Sequence, residues 1–321
     1  MAKKKRLKIR IRAIEVLCYI LIAIFTTKYA ISHGIEIHKN YEYQKTDEYL
    51  LIQKGYKKED VLEFQKELSQ DNIDYLLEQD HNEDYTNIIL SKYFKQKYFN
   101  DYIEYKLYHR KTTIEDTIAI VNTHASLGWY NEEYVSQNYN EYLVIANKFY
   151  KLPEDYQRDD LISTNLAYSY SGNKASKVVV EAFEEMYKDI QKELGVHLMI
   201  NSSYRSYEYQ EKLYNNYLRT SIQYADSHAA RPGHSEHQTG LVLNISSQEN
   251  PNDSFDTSEE FEWLKNNSYK YGFIQRYPED KKNITGFSET WLFRYVTPEV
   301  AKIIHDEEIT FDEYYAFYIE K

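Results

Sequence analysis

An α+β domain preceded by an apolar membrane-length helix and an α-helical region is the fold class the sequence predicts. Three changes of pattern along the 321 residues carry that prediction. Residues 1–34 are basic and then apolar, and residues 35–140 are polar with helical periodicity. From residue 141 amphipathic helices alternate with short compact apolar strands. The length suits about two domains of roughly 100–200 residues each. Hydrophobic residues at 42% and charged residues at 28% are enough to build a core.

The first segment sets the compartment. Lys3, Lys4, Lys5, Arg6, Lys8, Arg10 and Arg12 place seven positive charges in residues 1–12 with no acidic residue among them. The formal net charge of −12 therefore leaves −19 on the other 309 residues. An acidic body argues against nucleic acid as a partner, because phosphate binding needs a positive face. An apolar run from Val16 to Phe25 follows the basic block, with Glu15 and Lys28 near enough to its ends to snorkel. No small-x-small cleavage site stands out, so the segment reads as an uncleaved signal anchor, with a cleaved signal peptide or a basic amphipathic helix lying on the membrane as the alternatives. By the positive-inside rule residues 1–12 stay in the cytoplasm and the rest faces outward. The expected location is the cell membrane of a Gram-positive-type cell, single-pass, with the C-terminal domain extracellular. Cys18, the one cysteine, excludes an intramolecular disulfide and reads as apolar filler.

Residues 35–140 read as a helical spacer or module. A helix opened by Gly55-Tyr56-Lys57-Lys58 carries Val61, Leu62, Phe64 and Leu68 at a 3.6 period. Asn72–Leu77, Tyr85–Tyr98 and Thr112–Val121 read as further helices, the last with Thr112 and Glu115 as a capping box. His81, His109 and His124 have no ligand spacing.

In residues 141–321 the elements come in order. Ser176–Leu194 is an amphipathic helix striped by Val179, Phe183, Met186, Ile190 and Leu194 and stopped by Gly195. Val196–Ile200 is a strand, Ser206–Leu218 a helix, Leu241–Ile245 a strand, Ser258–Tyr269 a helix and Trp291–Val296 a strand. Pro298 starts a last helix. Trp263, Tyr271, Phe273 and Trp291 read as core.

Five stretches then occur in one order: ANKFYKLPEDYQRDDL (146–161), NSSYRSYEYQ (201–210), ARPGHSEHQTGL (230–241), WLKNNSYKYGFIQRYP (263–278) and ETWLFRYV (289–296). Together, over roughly residues 141–305, they resemble the VanY-type D-alanyl-D-alanine carboxypeptidases, zinc peptidases of the LAS group. The resemblance implies a small antiparallel sheet with flanking helices. It also implies zinc held by His and Asp of S-x-H-x-x-G-x-x-x-D and by His of E-P-W-H, with that motif's Glu as general base. Such chemistry needs three protein ligands and one open position, where the bound water's pKa falls and a carboxylate takes its proton.

Carried over residue by residue, only one ligand survives. His237 matches the first, Asn244 stands in place of Asp, and Leu292 stands in place of the second His. Glu289 keeps the base position, while Thr290 replaces the proline. A neutral amide is a poor substitute for carboxylate, and leucine has no lone pair, so no zinc or other cofactor is expected. His228, His234 and Asp226 are the nearby side chains from which a site could be rebuilt. Arg205 matches the family's substrate-facing arginine, suited to a carboxylate or oxyanion, with a structural salt bridge as the plainer reading. Ser203, Gln210, Ser235 and Gln238 match neighbouring substrate-site positions. Without zinc, Glu289 is expected to have a raised pKa or to pair with an arginine such as Arg294.

Three functions fit these residues. The first is a pseudopeptidase that binds peptidoglycan stem peptides or a cell-wall partner without cleaving them. The second is an active metallo-carboxypeptidase trimming D-Ala from wall peptides with a non-standard metal site. The third is a relic whose function lies in the 35–140 helices.

Overall fold

The computed structural model describes residues 2–137, 142–250 and 252–320, with the side chains of 2–14 and 252–254 left aside. The expected boundary at 140/141 lies outside the described residues. The chain divides into two compact units, Met1–Phe99 and Asn100–Lys321.

The first unit begins with one long helix, α1 (Ala2–Tyr43). Its stretch Glu15–Tyr43, 29 residues, is long and apolar enough to cross a membrane. Val16, Leu17, Ile20, Leu21 and Phe25 are all exposed, so no protein core accounts for their apolar character. Four short helices follow: Asp47–Gln53, Lys58–Glu67, Gln70–Glu78 and Glu83–Ile89. Thr46, Ser69 and Asn82 cap three of them by accepting backbone N–H groups. Leu51, Val61, Phe64, Leu76 and Ile88 form the buried set. Leu62, counted in the expected stripe, points outward at 42% exposure. The expected helix Tyr85–Tyr98 stops at Ile89, and only a single 3₁₀ turn, Gln96–Tyr98, follows within it.

The second unit is built on a four-stranded antiparallel sheet: β1 (Leu198–Ser202), β2 (Val242–Ser247), β3 (Phe273–Tyr277) and β4 (Glu289–Tyr295), in spatial order β1-β2-β4-β3. Alternation assigns the faces. Leu243, Ile245, Phe293 and Tyr295 pack with Val179, Phe183, Met186 and Ile190 of helix α2 (Lys177–Leu194), closing the main core. Val242, Leu292, Tyr277 and Phe287 form a small apolar cluster on the other face. Helix α3 (Tyr207–Leu218) starts at the Ser206 cap, just beyond the Arg205 that leaves β1. The helix Ile114–Asn122 also belongs to this unit, and its cap is Thr113, accepting from Asp116, one residue beyond the expected capping box.

Two elements differ from expectation. Strand β3 was not foreseen, because Gln275 and Arg276 interrupt its apolar alternation. Arg276 is nonetheless fully buried, held by Glu236 and Asp312. The helix Pro298–Asp306 forms as expected but is not the last. Phe311–Tyr314 and a π turn, Tyr315–Ile319, follow it and supply Asp312.

Candidate active site

The cleft lies on the sheet face away from α2, where β2 and β4 run side by side. Asn244 and Leu292 stand directly opposite each other in the ladder, so their side chains are neighbours on that face. His237 sits in a 3₁₀ turn, Glu236–Thr239, that ends at Gly240 in the left-handed region (φ +68°). A Cβ at Gly240 would meet Leu161 Cδ2 at 2.8 Å, so the turn can pass there only as glycine. His237 Nδ1 donates to the Ser203 carbonyl, which fixes the tautomer and leaves Nε2 as the free lone pair. Burial, then the nearby Arg205, push its pKa down to about 3 against that hydrogen bond, so the ring is neutral.

One cavity of about 460 Å³ is lined by Arg205, Gln210, Ser235, His237, Asn244, Glu289 and Leu292. The structure thus brings together the three expected ligand positions, the expected base position and three of the five expected substrate residues. Ser203 and Gln238 lie elsewhere. Ser203 is buried behind His237, its hydroxyl accepting from Lys174 N–H and donating to Asn173. Gln238 is buried with its amide toward the Pro153 carbonyl at 3.4 Å. Both hold the cleft's loops in place and do not line it.

Arg205 makes no ion pair among the described residues. Its guanidinium donates to Ser202 Oγ at 3.2 and 3.3 Å and to Gln210 Oε1 at 3.5 Å, and Gln210 in turn donates to the Ala230 carbonyl at 2.8 Å. The structural salt bridge is therefore absent there. Burial lowers the Arg205 pKa, partly offset by Glu289. Glu289, at the start of β4, has its pKa raised by burial, with Arg205 and then Lys148 pulling the other way. It does not pair with Arg294 as expected. Arg294 is fully buried and bound to Glu236 and to the Tyr142 and Val144 carbonyls.

Of the side chains considered for a rebuilt metal site, His234 and Asp226 are committed to other partners, while His228 borders the same cavity. His234 is held between the Asn147 carbonyl at 2.7 Å and Glu133 at 2.8 Å. Asp226 pairs with Arg231 at 2.8 and 2.9 Å. His228 stacks on Tyr224 at 3.9 Å and turns Nδ1 to the Tyr224 carbonyl. One imidazole, one amide and one isobutyl group do not make a zinc site: the metal needs three N, S or charged O donors, and this set supplies one.

Two features beside the cleft were missed. Lys148 is buried, with Nζ 4.1 Å from the Phe287 ring centroid and within 3.2 Å of the Asp226 carbonyl, and burial lowers its pKa to about 8. The ANKFYKLPEDY motif contained it, but nothing in that stretch marks the lysine as buried. Trp291, expected in the core, is 45% exposed at the rim between this cleft and an adjoining one lined by Asn201, Ser246 and Asp256. Trp263 and Tyr271 pack against the core as expected, and Phe273 lies within it.

An antiparallel sheet with one face covered by a helix, and on the other an S-x-H turn, a cleft arginine and a half-buried glutamate, defines a peptidase-type domain. The VanY family model (D-alanyl-D-alanine carboxypeptidase) matches residues 172–298. YodJ of Bacillus subtilis (strain 168), a carboxypeptidase by name, is 36% identical over 188 residues, 56% of this chain and 68% of YodJ. A D-alanyl-D-alanine carboxypeptidase of Enterococcus faecium is 31% identical over 187 residues, 56% of this chain and 58% of its own length. The solved LdcB LD-carboxypeptidase, whose structure concerns peptidoglycan recognition, is 35% identical with a TM-score of 0.54, over 58% of this chain and 90% of that one. This chain belongs to the VanY family of D-alanyl-D-alanine carboxypeptidases.

Proposed function

We propose that this chain is a membrane-anchored, outward-facing VanY-family protein that recognises peptidoglycan stem peptides without zinc-dependent cleavage. One observation carries the reading. Asn244 and Leu292 face each other where two metal ligands are needed, while Arg205 lines the same cleft with no carboxylate of its own. The guanidinium keeps its capacity to grip a terminal carboxylate, and Glu289 has no metal-activated water to deprotonate. A non-standard metal site gains no support from His234 and Asp226, which are already paired.

The test uses the full chain in detergent micelles, with zinc and separately with chelator, and a pentapeptide ending in D-alanyl-D-alanine. Binding without D-alanine release is expected, and Arg205→Ala should weaken it about tenfold or more, the scale of one charge-assisted bond. D-alanine release that chelator abolishes would overturn the reading.

The proposed anchor is α1, with Glu15–Tyr43 in the bilayer and the basic residues 1–12 on the cytoplasmic side. Alkaline carbonate should leave the protein with the membrane, and protease added outside intact cells should degrade the C-terminal domain. Release into the soluble fraction would argue for a cleaved signal sequence instead.

A further inference from the structure

The cleft is rich in hydrogen-bond acceptors that nothing in the chain uses. His237 gives its one ring N–H to the Ser203 carbonyl, which can only accept, so Nε2 keeps a lone pair without a partner among the described residues. Asn244 Oδ1 is buried and likewise has no partner there. Glu289 borders the same cavity, and its carboxylate makes no hydrogen bond or ion pair among the described residues. Leu292, across the ladder from Asn244, supplies neither donor nor acceptor. A buried acceptor left without a donor is costly, so the matching ligand brings several N–H groups on one atom. An ammonium carries three donors and no acceptor. On the same cleft Arg205 offers a planar fork suited to a carboxylate. An ammonium and a carboxylate on one small molecule describe a free amino acid. In a stem peptide the corresponding nitrogen is an uncharged amide with a single N–H, enough for one of the three acceptors.

We infer that the cleft binds a free α-amino acid of small side chain, its ammonium bordered by His237 Nε2, Asn244 Oδ1 and Glu289 and its carboxylate on Arg205. The inference rests on the non-hydrolytic reading above. It names as ligand the kind of product that hydrolysis by a carboxypeptidase releases, in place of the intact peptide. Leu292, Phe287 and Ala230 give part of the wall an apolar surface for a short side chain. D-alanine is accordingly the probe.

Calorimetric titration of the full chain in detergent micelles, with chelator present, compares D-alanine, N-acetyl-D-alanine and the pentapeptide. D-alanine should bind about tenfold or more tighter than its N-acetyl form, which removes the charge and two of the donors. Glu289→Gln should erase that preference by weakening D-alanine alone, while Arg205→Ala weakens both. Equal affinity for D-alanine and N-acetyl-D-alanine would overturn the inference. Binding of the pentapeptide but not of D-alanine would overturn it and leave the proposed function standing. Binding of none of the three would overturn both. The decisive comparison is made on the natural protein, so a misfolded variant does not affect it.

Discussion

Asp312→Ala is expected to cost the C-terminal unit about 3–5 kcal/mol, the usual price of leaving a buried charge without its partner. Arg276 and Arg294 are fully buried, Glu236 bridges them, and Asp312 completes the set from the far C-terminal turn. Two positive and two negative groups balance, and the surplus donors of Arg294 reach the Tyr142, Val144 and Tyr295 carbonyls. Asn147 adds a bond to Asp312 at 2.6 Å. Removing Asp312 leaves two buried guanidinium groups sharing one carboxylate. Glu236→Ala should be worse still, because both arginines lose a partner and His237 is the next residue. Urea unfolding of the full chain, followed by the near-ultraviolet signal of the second unit, measures the loss. Lys302→Ala is the control: its pair with Asp306 is exposed on both sides and should leave stability essentially unchanged. A loss below about 1 kcal/mol for Asp312→Ala would mean that water or a neighbouring side chain already satisfies Arg276.

This network also marks the limit of what the sequence discloses. Helix α2 could be read because its stripe, its Ser176 cap position and its Gly195 stop are local features. Strands β2 and β4 could be read from their apolar runs, and the motif spacing singled out Asn244 and Leu292 as the expected ligand positions. What the motifs could not show is that Asn244 and Leu292 are cross-strand neighbours. Strand β3 could not be read, because Arg276 looks like a solvent-facing residue until Glu236 and Asp312, 40 and 36 residues away, are known to meet it. The same distance problem misassigned Arg294, whose partner lies 58 residues upstream. Lys148 was missed and Trp291 misjudged for a related reason. A long amphipathic side chain or an indole can be buried or exposed with equal local plausibility, and only the loops packed over it decide.

The double change Asn244→Asp with Leu292→His should convert this cleft into a metal site holding about one zinc per chain. The two introduced ligands would stand side by side across β2 and β4, on the face that already carries His237. That histidine needs no adjustment: its Nδ1–H is fixed on the Ser203 carbonyl, a hydrogen bond that orients the imidazole and turns Nε2 toward a metal. The cost falls on Leu292, which is buried among Val242, Tyr277 and Phe287. An imidazole placed there without metal should destabilise the unit by about 1–3 kcal/mol. Zinc should then raise the melting temperature of the variant and leave that of the natural protein unchanged, because binding to the native state alone is stabilising. Either single change supplies only two protein ligands and should not retain metal through gel filtration. If the folded double variant stays metal-free, the backbone of the cleft has moved away from a ligand-holding geometry and the site has lost more than two side chains. If instead the natural protein retains zinc, the non-hydrolytic reading falls, and D-alanine release becomes the activity to measure.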